Sequence, residues 1–370
     1  MIYYGKQNIN QDDIDAVIDV LKSAFLTQGP KVTEFENDLK DYCNVKYAKA
    51  VSNGTTALHL AYLAIGVKQG DIVWTSPNTF VATANAALYC GAEVEFVDID
   101  AKTYNMSIES LEKKLIQAKI DDKLPKLVVP VHFSGQSCEM KDIWKLSKEY
   151  GFKVIEDASH ALGGEYLDQK VGSCQYSHMA LFSFHPVKMI TTGEGGAITT
   201  NDKDLDDRLV LLRSHGITKD NNQFQYESHG KWYYEQQALG FNYRLTDIQA
   251  ALGISQLKRL DSFVSKRRKI AKYYFNNLKE VVTPFQHPDT NSSWHLFVIQ
   301  TKNRKRVFQQ LMKRGIQSQV HYIPVNSQPF YNRKILNNSE YFYQNCLSLP
   351  IYVDLTNDEC ERVVNSFRHN

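Results

Sequence analysis

Residues 181–200 read LFSFHPVKMITTGEGGAITT: an apolar run, a His-Pro turn with Lys188 just behind it, and a glycine-rich loop that leads into a second apolar run. The flanking runs, Met179 to Phe184 and Ala197 to Thr199, have the composition of buried strands. Similar short runs recur upstream at Ala48 to Val51, Asp71 to Trp74, Val94 to Val97, Leu127 to Val131 and Val154 to Ile155. Helical patterns fall between most of them, at Thr55 to Ile65, Thr79 to Tyr89, Ile108 to Ala118 and Met140 to Tyr150. Strand and helix alternating this often predict an α/β fold, with a mostly parallel sheet covered by helices on both faces.

The two ends read differently. Asn10 is a plausible N-cap, with Asp12 and Asp13 in the first turn and Ile14, Val17, Ile18 and Leu21 at helical spacing, which predicts an amphipathic first helix. From Thr246 the pattern becomes one long helical stretch to Leu278, then HLFVIQ, a helix near Lys305 to Lys313, QSQVHY and a final helix near Asn357 to Phe367. This predicts a large unit over residues 1–245 and a smaller α+β unit over 246–370, joined by a continuous helix.

Composition narrows the classes. The 370 residues are 43% hydrophobic and 23% charged, as in a globular protein, and the formal net charge of +2 gives no field to draw the chain onto nucleic acid or an anionic membrane. No basic run followed by an apolar segment opens the chain, and no stretch approaches a membrane span, so a cytoplasmic protein is expected. Cys43, Cys90, Cys138, Cys174, Cys346 and Cys360 form no C-x-x-C pair and read as buried free thiols; no metal site is expected.

Ligands of open α/β sheets sit beyond the carboxyl ends of the strands, so the loops after each run carry the functional reading. In VSNGTTAL, Gly54 permits a tight turn, and the helix opening at Thr55 and Thr56 offers free N–H groups to a phosphate; a plain strand-to-helix turn reads the same way. In SPNTFVATANA, Phe80 is either a core residue or a face on which a flat heterocycle stacks. In KVIEDASHALGG, Glu156 and Asp157 follow a strand with His160 three residues on; a carboxylate there either caps a helix or pairs with a protonated ring nitrogen. Ser183 and Lys188 flank the His-Pro turn, and Lys188 lies among Val187, Met189 and Ile190, where desolvation would favour the neutral amine that condenses with an aldehyde. A phosphate cup, a stacking ring, a ring-nitrogen carboxylate and a Schiff-base lysine together describe a pyridoxal-phosphate site.

With RSHGI at 213–217 and GFNYRLTDIQAALG at 240–253, these motifs resemble the fold-type I sugar aminotransferases of the DegT/DnrJ/StrS family over essentially the whole chain. The segments QNINQDDIDAVIDVLKSAFLTQGP, VWTSPNTFVATANAALYCGAEVEFVDID and LPKLVVPVHFSGQSCEM are similar to those members that aminate C4 of UDP-4-keto-6-deoxy-N-acetyl-β-L-altrosamine in pseudaminic acid biosynthesis. The resemblance implies that Lys188 is the Schiff-base lysine and Asp157 the partner of the pyridine nitrogen. It implies that Gly54, Thr55, Thr56 and Ser183 meet the cofactor phosphate, that His160 lies beside the 3-hydroxyl, and that Phe80 lies against the ring. It further implies a homodimer with shared active sites, in which Asn242 reaches the partner's cofactor phosphate. Tyr4, the segment Ala24, Phe25, Leu26 and Thr27, and the pair His321 and Tyr322 fall where the family meets its sugar nucleotide, with L-glutamate as amino donor.

Members that dehydrate sugars carry His in place of the lysine, so Lys188 favours transamination. The cup reads Asn-Gly-Thr-Thr where many relatives have Ser-Ala-Thr-Ser or Ser-Gly-Thr-Ala, and YIPVNSQPFY carries Asn326 and Ser327 where relatives often have a His or a bulkier residue. The alternatives are a C4 aminotransferase for another UDP-, dTDP- or GDP-linked keto sugar, and a non-catalytic pyridoxal-phosphate-binding regulator, for which no segment is left over as a nucleic-acid module. The strings of a dinucleotide fold, a P-loop, a zincin and a serine hydrolase elbow do not occur.

Overall fold

A computed structural model of the chain describes residues 1–331 and 335–368. The central sheet is built from β1 (Tyr47–Val51), β2 (Ile72–Thr75), β3 (Glu93–Phe96), β4 (Leu127–Val129), β5 (Lys153–Asp157), β8 (Met179–Ser183) and β9 (Gly196–Thr200), with the short β6 (Glu165–Tyr166) and β7 (Gln169–Lys170) outside it. Its order is β1-β9-β8-β5-β4-β2-β3. From β3 to β8 every pair is parallel, and β9 runs antiparallel to both β8 and β1. This is the mostly parallel α/β sheet that the repeated strand and helix pattern predicts. Pro130 ends β4 earlier than the apolar run suggests, because a proline has no N–H for the ladder.

Helices α1 (Gln11–Leu21) and α2 (Pro30–Cys43) precede the sheet, and α3 (Gly54–Ala64), α4 (Val81–Tyr89), α5 (Ile108–Ile120), α6 (Met140–Tyr150) and α7 (Lys203–Arg213) connect its strands. Neighbouring strand residues point to opposite faces. Val73, Ile155, Leu181 and Ile198 pack with α3, α4 and α7. Trp74, Val128 and Val154 pack with α5 and α6, while Ala180, Phe182 and Ala197 meet α2 and the later helix α8 (Asp247–Leu257). Both faces are therefore buried, as a parallel sheet requires.

The stretch from Thr246 is not one continuous helix. It divides into α8 and α9 (Leu260–Asn277) at Lys258 and Arg259, where the Arg259 N–H bonds the Gln256 carbonyl; the Arg259 side chain there pairs with the buried Asp13 carboxylate and donates to Asn8 Oδ1 at 2.5 Å. Downstream, β13 (Phe297–Gln300) pairs antiparallel with β14 (Cys346–Leu349), and these pack with α9, α10 (Arg304–Lys313) and α12 (Asn357–Arg368) in a separate apolar cluster. QSQVHY contributes a single bridge, Gln319 to Ser348, rather than a strand.

The N-cap expected at Asn10 is present, and Asp13 completes a capping box with it. The apolar stripe of α1, however, is turned outward. Ile14, Ile18 and Leu21 are exposed, and it is Asp13 and Val20 that are buried. Asp13 faces inward because Ser255, Gln256 and Arg259 satisfy its carboxylate there.

Candidate active site

The loops at the carboxyl ends of β1, β5 and β8 converge. At the end of β1, Asn53 caps α3: its Oδ1 accepts the Thr56 N–H at 2.9 Å, and Thr56 Oγ1 accepts the Asn53 N–H at 3.1 Å. Thr56 also meets Ser52 Oγ and the Asn53 carbonyl, so both its hydroxyl and its N–H serve the cap. Thr55 carries a hydroxyl that no protein group engages among the described residues, and it lies with Gly54 in the first turn, where helix N–H groups point outward unpaired. A Cβ on Gly54 would lie 2.9 Å from Ser183 Cβ and 3.2 Å from Ser183 Oγ. The glycine thus lets the positive end of α3 close on the hydroxyl that ends β8, and the two form one anion cradle.

At the end of β5, Asp157 is 4% exposed. One carboxylate oxygen accepts Thr83 Oγ1 at 2.7 Å; the other accepts Ser159 Oγ at 2.6 Å and the Ser159 N–H at 3.2 Å. Thr83 is itself bonded to Thr79, so α4 positions the carboxylate from across the sheet. The neighbouring Glu156 points to the opposite face, where it pairs with His132 and accepts from Ser177. This separates the two carboxylates: Asp157 belongs to the site and Glu156 to the core.

Beyond β8, Lys188 is partly buried, and among the described residues no acceptor engages its Nζ. Loss of hydration pushes its amine down to about 8, against the pull of the Asp157 carboxylate. Its charge in turn helps to hold His160 and His321 neutral, although burial is the larger cause for both; the His321 imidazole is pushed down to about 3.

The buried His160 ring is held from both sides. Nδ1 accepts the Ser134 N–H at 3.3 Å, and Nε2 lies 3.1 Å from Tyr322 Oη. His295 lies against it with ring centroids 4.3 Å apart, and His295 Nδ1 is buried without a hydrogen-bond partner among the described residues. Phe80 is 60% exposed at the mouth, its ring 6.4 Å from that of Tyr322, so it is not a core residue. Tyr4 approaches His321 at 5.6 Å between ring centroids, and His321 Nδ1 meets Ser348 Oγ at 2.8 Å.

Two of the expected contact sets are exposed rather than buried in this cleft. Ala24, Phe25, Leu26 and Thr27 are exposed and tied to the start of α8 through the Thr27–Thr246 bridge and the bond from Asp247 N–H to the Leu26 carbonyl. Asn242 is exposed, with its backbone bridged to Ser214, and the next carbonyl, on Tyr243, accepts the Ser52 N–H at 2.9 Å. Asn326, in the YIPVNSQPFY stretch, is buried. Sequence reasoning missed Thr83, Ser134, Ser159 and His295. Ser134 carries a signal only in its backbone, a non-glycine φ of 64° in the left-handed region.

Residues 7–368 match the DegT/DnrJ/EryC1/StrS aminotransferase family. The chain belongs to that family. The chain is 42% identical over 367 residues to the UDP-4-amino-4,6-dideoxy-N-acetyl-beta-L-altrosamine transaminase of Campylobacter jejuni subsp. jejuni serotype O:23/36, covering 96% of this chain and 93% of that one. It is 35% identical to the GDP-perosamine synthase of Caulobacter vibrioides over 96% of its length and 94% of that protein's. Among solved structures it resembles Helicobacter pylori PseC, an aminotransferase involved in the biosynthesis of pseudoaminic acid, with a TM-score of 0.90 at 33% identity, over 99% of this chain and 98% of that one.

This member of the DegT/DnrJ/EryC1/StrS family is a sugar aminotransferase, and its cofactor is pyridoxal phosphate. The residues present fit that group. The cradle at Gly54 and Ser183 suits a phosphate, the satisfied Asp157 suits a ring-nitrogen proton, and Lys188 is an amine of lowered basicity. Among the described residues no helix is long and apolar enough to cross a membrane.

Proposed function

We propose that this enzyme moves the amino group of L-glutamate to C4 of UDP-4-keto-6-deoxy-N-acetyl-β-L-altrosamine, in the cytoplasm and as a homodimer with shared active sites. The observation that carries the reading is Lys188: an amine that no acceptor engages among the described residues, lowered toward neutrality and within the field of a buried, hydrogen-bonded Asp157. The identity to the altrosamine transaminase of C. jejuni supports the substrate.

Gly54, Thr55 and Ser183 hold the cofactor phosphate, with Thr56 shaping the turn; Phe80 lies against the ring, and His160 lies beside its 3-oxygen. Bound there, pyridoxal phosphate supplies an electron sink that acidifies the proton on the donor's α-carbon. Asp157 keeps the ring nitrogen protonated. Lys188 takes that α-proton as general base and later returns a proton to the sugar carbon, which its near-neutral basicity suits. Tyr4, His321 and Tyr322 meet the sugar from the same subunit. Ala24 to Thr27 and Asn242 act on the partner's site, in keeping with their exposure. The outward-facing Ile14, Ile18 and Leu21, continuous in sequence with exposed Phe25 and Leu26, support a second copy packed there. We also propose residues 1–245 as the cofactor-binding unit and 246–370 as the smaller one, a division supported by the Thr246 cap and the separate cluster around β13 and β14.

A second reading, C4 amination of another nucleotide-linked keto sugar, is favoured by the 35% identity to a GDP-perosamine synthase. Incubating the enzyme with L-glutamate and a panel of UDP-, dTDP- and GDP-linked keto sugars, and identifying products by NMR, decides between them. Amination of the altrosamine ketone in preference to the others is the expected result.

A further inference from the structure

The hydrogen bonds around His160 fix more than its orientation. An imidazole nitrogen that accepts an N–H carries no proton of its own, so the bond from Ser134 N–H to Nδ1 makes Nδ1 the acceptor. His160 is buried and neutral, held so first by loss of hydration and then by the Lys188 charge. Its single proton is therefore on Nε2, which faces Tyr322 Oη at 3.1 Å. Tyr322 Oη must accept that bond. Its own O–H proton then has no protein acceptor among the described residues, since His160 is the only partner of the hydroxyl.

Among the described residues no ring around Tyr322 other than that of His160 bonds its hydroxyl. Phe133 and Phe80 flank the Tyr322 ring at 6.4 Å, and His321 stands edge-on at 4.9 Å. His321 Nδ1 is engaged with Ser348 Oγ. Tyr322 is thus held as a donor at the mouth that Phe80 marks, with Tyr4 and Lys188 on neighbouring elements. Burial, reinforced by the Asp157 carboxylate and Tyr4, keeps the phenol protonated.

We propose that Tyr322 is the proton donor to the ketone oxygen of the sugar, and that the chain from Ser134 N–H through His160 to Tyr322 Oη sets it in that role. The proposal rests on the reading that a keto sugar is aminated here. As the carbonyl carbon takes a nitrogen, its π pair moves to oxygen. The Tyr322 proton passes to that oxygen, and the phenolate, stabilised by His160 Nε2–H, regains a proton from the attacking nitrogen, which bond formation leaves positively charged. Tyr322 then passes this proton to the same oxygen, which leaves as water as the nitrogen lone pair closes the new C=N bond, and the phenolate takes the nitrogen's remaining surplus proton. No oxidant or reductant is needed. Ser134 and His160 are positioning residues here, and Tyr322 is the catalytic one.

Two measurements test this on the holoenzyme. The first is 15N NMR of histidine-labelled protein, with the His160 signals identified by their loss in His160→Gln. Protonation at Nε2 with Nδ1 bare is expected, and a proton on Nδ1 would overturn the proposal. The second is the kinetics of Tyr322→Phe in a preparation whose absorbance spectrum shows bound cofactor. Here kcat for the keto sugar should fall by about 10²-fold, the lower end of what a positioned acid contributes, with KM changed far less. A loss confined to KM would make Tyr322 a binding contact and nothing more. If Tyr322→Phe does not fold, fluorinated tyrosines at position 322 replace it: kcat should shift systematically with the acidity of the phenol, and a flat series overturns the proposal. Failure of the wild-type enzyme to aminate any keto sugar nucleotide would be seen before any variant is made, and it would overturn the functional reading itself.

Discussion

Gly54 and Ser183 touch: a Cβ on residue 54 would lie 2.9 Å from Ser183 Cβ, closer than carbon atoms pack. The start of α3 and the end of β8 meet in this way only because residue 54 has no side chain. Gly54→Ala should therefore separate the helix terminus from the serine. The expected outcome is at least a tenfold weaker affinity for pyridoxal phosphate, together with a stability loss of about 1–3 kcal/mol from overpacking. Ser183→Gly in the same chain should recover stability, because the clash is with Cβ, without recovering affinity, because the hydroxyl is gone. Cofactor titration and thermal unfolding of the two variants check both parts.

Lys188 sets a pH dependence. Its amine titrates at about 8, against an ordinary 10.5, and only the neutral form has the lone pair that condenses with an aldehyde. Incorporation of pyridoxal phosphate into apoenzyme, trapped with borohydride, should accelerate as pH rises through about 8 and level off above it. The label should fall on the peptide containing Lys188; a label on another lysine removes the assignment. The unfolded chain, with an ordinary lysine, binds more protons between about 8 and 10.5, so the stability of wild type relative to Lys188→Met should rise with pH across that window.

Asp157→Asn should bind cofactor and lose a hundredfold or more in kcat/KM, which is about 2.7 kcal/mol of transition-state stabilisation. A neutral amide does not hold the ring nitrogen protonated. The amide would also turn an N–H toward Thr83 Oγ1 or toward Ser159, both donors to the present carboxylate. Near-normal turnover in this variant would reduce Asp157 to a structural role. Thr83→Val, which removes one of the three bonds, should cost less than Asp157→Asn while moving kcat in the same direction.

What the sequence conveyed about this site follows from how each residue is held. Asp157 and Ser183 are the last residues of β5 and β8, and Lys188 follows β8 by five residues, so the strand pattern alone brings them to one edge. Thr83 reaches Asp157 from a separate helix, 74 residues away, and Ser134 reaches His160 through a backbone N–H that side-chain chemistry does not reveal. Apolar spacing in α1 signalled a helix correctly but not which face is buried, since a buried Asp13 with four partners competes with the isoleucines for the interior. Similarly, helical periodicity runs through Lys258 and Arg259, while the backbone breaks there with a tight turn from the Arg259 N–H to the Gln256 carbonyl, which side-chain spacing does not signal.

Asn242 offers a test of the dimer. Its backbone lies beside its own phosphate cradle, because Tyr243 accepts the Ser52 N–H, yet its side chain is exposed. If Asn242 completes the cradle of the partner subunit, the Asn242 and Lys188 that one active centre needs come from different chains. Asn242→Asp should be defective because a carboxylate beside a phosphate dianion is repelled. Mixing it with Lys188→Ala, after dissociation and reassociation, gives heterodimers in which one centre carries both lesions and the other neither. Half the dimers are mixed and half of their centres intact, so activity should rise from near zero in either parent to roughly a quarter of wild type, as two-fold symmetry requires. Were Asn242 to serve its own chain, each centre of the heterodimer would carry one lesion. No activity would then return, even with subunit exchange verified by mass.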